Sequence, residues 1–135
     1  MNFILSALTG WLAAIVLCVG AALPFVLRRT SGGDKTFAER LRLHYWLGFS
    51  IPAITFLHAW IPMSAGMARG VNATGLWLAT VALLLMLIQI AWGVALRTAA
   101  RAGRTAGRNA ARKTHFWMMT VIAALSAVHV ILDRA

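Results

Sequence analysis

Carboxylates are nearly missing from this chain. Asp34, Glu39 and Asp133 stand against 13 lysines and arginines, which leaves a net charge of +10 in 135 residues. None of the three acids lies inside an apolar run, so no proton-exchanging carboxylate can sit at membrane depth. Cysteine occurs once, at Cys18, and no intrachain disulfide can form. The bulky Leu17 before it argues against a lipoprotein cleavage site. The lack of a basic residue ahead of the first apolar run argues against a cleaved signal peptide. Charge of either sign is scarce at 12% of residues, whereas 61% are hydrophobic and the mean hydropathy is +0.78. A water-soluble domain of this size would interleave polar and apolar residues; this composition is that of an integral membrane protein. The basic excess does not mark a nucleic-acid binder. It is confined to short stretches between apolar runs, where it sets topology and meets anionic lipid headgroups.

Four apolar runs are present, at about 3–27, 43–63, 75–96 and 114–132. Each is near the roughly 20 residues that a helix needs to cross the hydrocarbon. Backbone polar groups in lipid must be satisfied within the segment, so the runs are expected to be helices. The expected fold is all-α: one membrane domain, 1–135, built as an antiparallel bundle of four transmembrane helices. Arg28, Arg29, Lys35, Arg40 and Arg42 lie between the first two runs. Arg97, Arg101, Arg104, Arg108, Arg112 and Lys113 lie between the last two, against only Arg69 and Arg134 on the other side. The positive-inside rule then puts both basic loops in the cytoplasm and both termini outside, as in a bacterial inner membrane. Trp46, Trp92 and Trp117 fall at the inner interface and Trp60 and Trp77 at the outer one. The arginines of the second basic loop recur every three or four residues among alanines. They suit either a short helix lying on headgroups or a solvated connector, because Gly103 and Gly107 weaken a helix.

Within this frame the four histidines stand out: His44, His58, His115 and His129. They form two pairs, each 14 residues apart, in the second and fourth runs. Those runs are separated by one helix and therefore run parallel, so His44 matches His115 in depth and His58 matches His129. Fourteen residues rise about 21 Å and make four turns at about 3.5 residues per turn in a left-handed bundle. Both histidines of a run thus face one seam. Facing neutral imidazoles can hold a haem iron from both sides, and two such levels give two haems. The expectation is an inner haem on His44 and His115 and an outer haem on His58 and His129. Bis-histidine ligation leaves no open iron position and favours electron transfer. No C-x-x-C-H motif is present, so the haems would be non-covalent b-type. Isolated histidines in membrane helices also serve as packing residues. A zinc-type site needs more than two imidazoles per level.

Other residues fit the same picture. Gly48 is one turn from His44, and Gly20 and Gly93 lie at similar depth on the first and third runs, where a porphyrin needs missing side chains. Pro52 is expected to bend the second run between its histidines. Arg40, Arg42, Arg112 and Lys113 flank the inner pair, where haem propionates need cations. Arg69 and Arg134 are the basic residues on the outer side. Tyr45, Ser50, Gln89 and Asp133 are candidate quinone contacts.

The two histidine pairs resemble the di-haem cores of membrane b-type cytochromes, shared by the cytochrome b of quinol-oxidising complexes and the ferric-reductase-like transmembrane family. The resemblance covers the second and fourth runs. The first histidine of each pair lies on the cytoplasmic side, as in the ferric-reductase-like core, and the Pro-Glu-Trp-Tyr motif of cytochrome b is lacking. The resemblance implies transmembrane electron transfer between a quinone pool or a partner redox subunit and an acceptor. Without a flavin or nucleotide motif, electrons would not come from NAD(P)H directly. The implied partners are the lipid bilayer, a redox subunit or quinone, and further copies or subunits in an oligomer. The alternative expectation is a membrane anchor subunit of a larger redox complex with one haem or none. A small four-helix transporter is disfavoured by the position of the three acids.

Overall fold

A computed structural model describes residues 2–30, 37–64, 72–104 and 106–132. Among the described residues five helices follow in order: α1 (Asn2–Arg29), α2 (Phe37–Arg40), α3 (Arg42–Ser64), α4 (Ala73–Arg101) and α5 (Arg108–Leu132). All but the four-residue α2 are long and apolar enough to cross a membrane. The expected all-helical class with four spanning helices is therefore present.

The chain divides into two compact units, Met1–Ala68 and Arg69–Ala135. In the first, α1 packs on α3, and α2 touches both. Gly20 of α1 lies beside His44, whereas Ser6 lies beside His58, so the two helices run antiparallel. In the second unit α4 packs on α5. Gln89 and Trp92 reach the start of α5, while Gly75 meets His129 near its end, again antiparallel. Each unit is a helical hairpin.

Local chemistry explains the helix ends. Asn72 caps α4, its side chain accepting from the N–H groups of Thr74 (3.0 Å) and Gly75 (3.4 Å), which relieves two of the donors a helix start leaves unpaired. At the other end Gly103 adopts φ 67°. Its N–H bonds to the Ala100 carbonyl and the N–H of Arg104 to the Ala99 carbonyl. This is a Schellman closure, which wants glycine because of the positive φ. Gly107, with φ 72°, supplies the carbonyl that starts α5 by accepting from Ala111.

The second basic stretch is therefore not a separate surface helix: most of it continues α4 and α5, and Arg104 lies in the exposed turn between them. Arg97 and Arg101 extend α4, and Arg108, Arg112 and Lys113 open α5. Alanine and arginine are strong helix formers, so the helices continue past the points, 96 and 114, where the apolar runs stop. Pro52 and Pro62 lie inside α3 without ending it.

Few apolar side chains are buried by the chain itself: Leu17 and Ile51 in the first hairpin, Ala82, Met86 and Ile122 in the second. Most other large hydrophobics are exposed, from Trp11 to Ile131, the pattern of helices whose outer faces meet lipid. In lipid the contact between helices rests on close packing rather than on the hydrophobic effect. Ile122, at 0% exposure, is the best-packed side chain among the described residues. Ile122→Ala should lower unfolding free energy in detergent by about 2–4 kcal/mol, the range for cavity-forming core truncations. Val121→Ala, at a 48% exposed position, should cost under about 1 kcal/mol. Equal losses in a denaturant titration would contradict this packing.

Candidate functional site: histidines seated on helix carbonyls

His44 and His58 sit on α3, and His115 and His129 on α5, all four half-buried. Within each hairpin the first histidine lies toward the connecting turn and the second toward the open end. A buried isoleucine stands midway in each pair: Ile51 at 7% and Ile122 at 0% exposure. The spacing of seven residues on either side keeps His44, Ile51 and His58 on one stripe, and likewise His115, Ile122 and His129. Pro52 does not break the stripe, since both histidines of α3 still reach α1.

The imidazoles are seated by backbone. His44 Nδ1 is 2.9 Å from the Gly20 carbonyl oxygen, His58 Nδ1 2.8 Å from that of Ser6, and His129 Nδ1 3.1 Å from that of Gly75. A carbonyl oxygen only accepts, so each Nδ1 must carry the proton and donate it. In a neutral ring the lone pair then resides on Nε2. Gly20 and Gly75 are themselves buried. The Thr9 hydroxyl stands 3.5 Å from His58 Nδ1 while donating to the carbonyls of Leu5 and Ser6.

One acceptor is prepared by sequence. Pro24 follows Gly20 by four residues inside α1. Proline has no N–H, so it cannot occupy the Gly20 carbonyl as helix residue i+4, and that oxygen is left for His44. Glycine makes room for the rings elsewhere. A Cβ on Gly10 would come within 2.9 Å of His58 Cε1 and 3.1 Å of its Nδ1. One on Gly93 would stand 3.4 Å from His115 Cε1. His115 is further fixed at its backbone, where Gln89 Nε2 donates to its carbonyl at 2.8 Å.

The other residues singled out by sequence distribute as follows. A Cβ on Gly48 would meet nothing within 4 Å. Tyr45 sets its ring edge-on to His44, centroids 5.9 Å apart, and the Ser50 hydroxyl is spent on the Leu47 carbonyl. Arg42 and Arg112 are exposed. Arg42 precedes His44 by two residues, about 200° around the helix, so it faces away from the histidine stripe. Arg112 precedes His115 by three residues and lies on its side. Arg69, Asp133 and Arg134 lie outside the described residues. Among the described residues, no three His, Cys, Asp or Glu side chains converge as a metal cluster.

Two features escape composition and periodicity. The acceptors Ser6 and Gly75 act through backbone carbonyls, which carry no sequence letter. The other is an internal repeat at an offset of 71 residues. It carries His44-Tyr45-Trp46 onto His115-Phe116-Trp117, Ile51 onto Ile122, and His58 onto His129. The ring contact to Gly10 is visible only in the structure.

No protein-family model, curated protein or solved structure matches the chain.

The seating makes a specific forecast. In ¹⁵N NMR of the protein, His44, His58 and His129 should all show the Nδ1-protonated tautomer. Pro24→Ala, which restores a helix donor to the Gly20 carbonyl, should disturb the His44 signals and leave His129 unchanged. Gly10→Ala, which forces the His58 ring aside, should cost about 1–3 kcal/mol, and Gly93→Ala less. An Nε2-protonated tautomer at His44 or His58 would contradict the seating.

Proposed function

We propose that the chain is a di-haem b-type cytochrome that carries electrons across a membrane. The observation that supports this most is the shared seating of His44, His58 and His129. A metal-ligating histidine characteristically donates its other ring N–H to a carbonyl or carboxylate, which fixes the tautomer, orients the ring and raises the basicity of the ligating nitrogen. Three histidines at regular positions in membrane helices share that arrangement, each donating from Nδ1 to a helix carbonyl.

The proposed pairing rests on the order of the histidines along the chain and on the 71-residue repeat. His44 and His115 are the turn-side histidines of their hairpins and would hold one haem; His58 and His129 are the open-end histidines and would hold the other. Each haem would be held by one histidine from each half of the repeat. When bound, a haem held by two histidines would supply reversible one-electron exchange. The chain's own residues do the rest. Carbonyls of α1 and α4 lock the rings, Gly10 and Gly93 admit them, and Gly48 presents no side chain beside the turn-side level. Arg112 is the cation placed to meet a propionate. The basic turns face the cytoplasm and the termini the opposite side, as in a bacterial inner membrane. Donor and acceptor are a quinone pool or a partner redox subunit.

Single alanine variants test the pairing. His44→Ala and His115→Ala should each remove the same component from the reduced-minus-oxidised spectrum, about half of the total band. His58→Ala and His129→Ala should each remove the other half. Loss of one common component from His44→Ala and His58→Ala would refute the cross-hairpin pairing.

A further inference from the structure

The first hairpin carries an open groove of about 410 Å³ lined by Leu27, Glu39, Arg40, Arg42, Leu43 and Trp46. It lies where the end of α1, the short α2 and the start of α3 meet, at the basic end of the hairpin. His44 is not among the lining residues. Arg42 and Trp46 are four residues apart, hence on one face of α3, about 200° from the histidine stripe. The groove therefore belongs to a different surface from the candidate haem site.

Its chemistry asks for an anion. Arg40 Nε is buried and makes no hydrogen bond among the described residues. Arg40 Nη1 reaches the Thr30 carbonyl only at 3.5 Å. A guanidinium presents five donors in a planar fork that matches phosphate oxygens. In the described part of this hairpin Glu39 is the only carboxylate side chain, against Arg28, Arg29, Arg40 and Arg42. The remaining wall is apolar. Trp46, 65% exposed, stands at the end of a spanning helix, the depth that indole rings prefer at a membrane interface.

The repeat supplies an independent observation. Offset by 71 residues, Arg42 and Trp46 become Lys113 and Trp117, again a cation and an indole four residues apart. Both are exposed, Trp117 at 63%. Both hairpins thus keep a cation–indole pair on the face turned away from the histidines, where neither haem ligation nor packing within the hairpin requires it.

We propose that the α1–α2–α3 groove is a binding site for an anionic phospholipid of the cytoplasmic leaflet. The phosphate diester lies between Arg40 and Arg42, and the first carbons of an acyl chain run along Leu27, Leu43 and Trp46. The Lys113–Trp117 pair is a shallower counterpart on the second hairpin. Lipid held here anchors the turn at a fixed depth in the interface.

Lipid retention by the full chain tests this. The protein is placed in nanodiscs of equal phosphatidylglycerol and phosphatidylcholine, extracted in mild detergent, and its bound lipids counted by native mass spectrometry. Phosphatidylglycerol should be retained over phosphatidylcholine. Each arginine removed should weaken retention roughly fivefold, so R40Q/R42Q should lose most of it. Two controls separate a built site from other sources of binding. R104Q/R108Q removes equal charge from the other turn and should leave retention nearly intact. His44→Ala should also leave it intact, because the groove does not depend on haem. Arg40→Lys keeps the charge but not the fork and should weaken retention even if the double variant folds poorly by circular dichroism. Equal retention of the two lipids, or an equal loss in R104Q/R108Q, would overturn the proposal. Loss in His44→Ala would show that the groove serves a haem propionate instead, and would overturn it as well.

Discussion

An imidazole N–H donated to a helix carbonyl is the interaction on which the rest of this structure turns. It ties α3 to α1 at two levels and α5 to α4 at one, in helices that otherwise bury few side chains against each other. In lipid a polar ring between helices is tolerated only with a partner, and such bonds also help hold helices together, at about 1 kcal/mol each. The same bond selects the tautomer. A neutral histidine that donates from Nδ1 carries its lone pair on Nε2, so one contact both fastens the hairpin and fixes the tautomer.

The two hairpins meet this constraint differently, although the repeat relates them. In the first, Pro24 withholds a helix donor so that the Gly20 carbonyl is open to His44. At the matching level of the second, the Gln89 side chain bonds to the backbone of His115, and Gly93 leaves space beside the ring. At the open ends the acceptors are ordinary helix carbonyls, those of Ser6 and Gly75, which share their lone pairs between the helix and the histidine. The repeat preserves the histidines, the buried isoleucines and the tryptophans, and lets the acceptors vary. Any nearby carbonyl can seat a ring, so the acceptors need not match for the rings to be held.

Much of this was legible in the chain before any coordinates. Long apolar runs leave helices as the natural solution in lipid, and all four emerge near the expected places. The ends were less legible. Hydropathy stops at the arginines after Leu96 and before Thr114, but helix propensity does not, so α4 and α5 extend into the basic stretch until Gly103 and Gly107 turn the chain. The histidine stripe follows from multiples of seven residues. Its acceptors do not, because backbone carbonyls are present everywhere; only Pro24, by removing an N–H, marks one in the sequence. Arg42 shows the limit of proximity in sequence. Two residues from His44, it faces the other side of the helix and lines a groove there.

The central claim is that these seated imidazoles hold haem, and its stoichiometry is the most direct measure. A pyridine haemochrome assay on the purified full chain, set against its protein concentration, should give haem b at two per chain. A ratio near one would remove one of the two levels, and a ratio near zero would contradict the account.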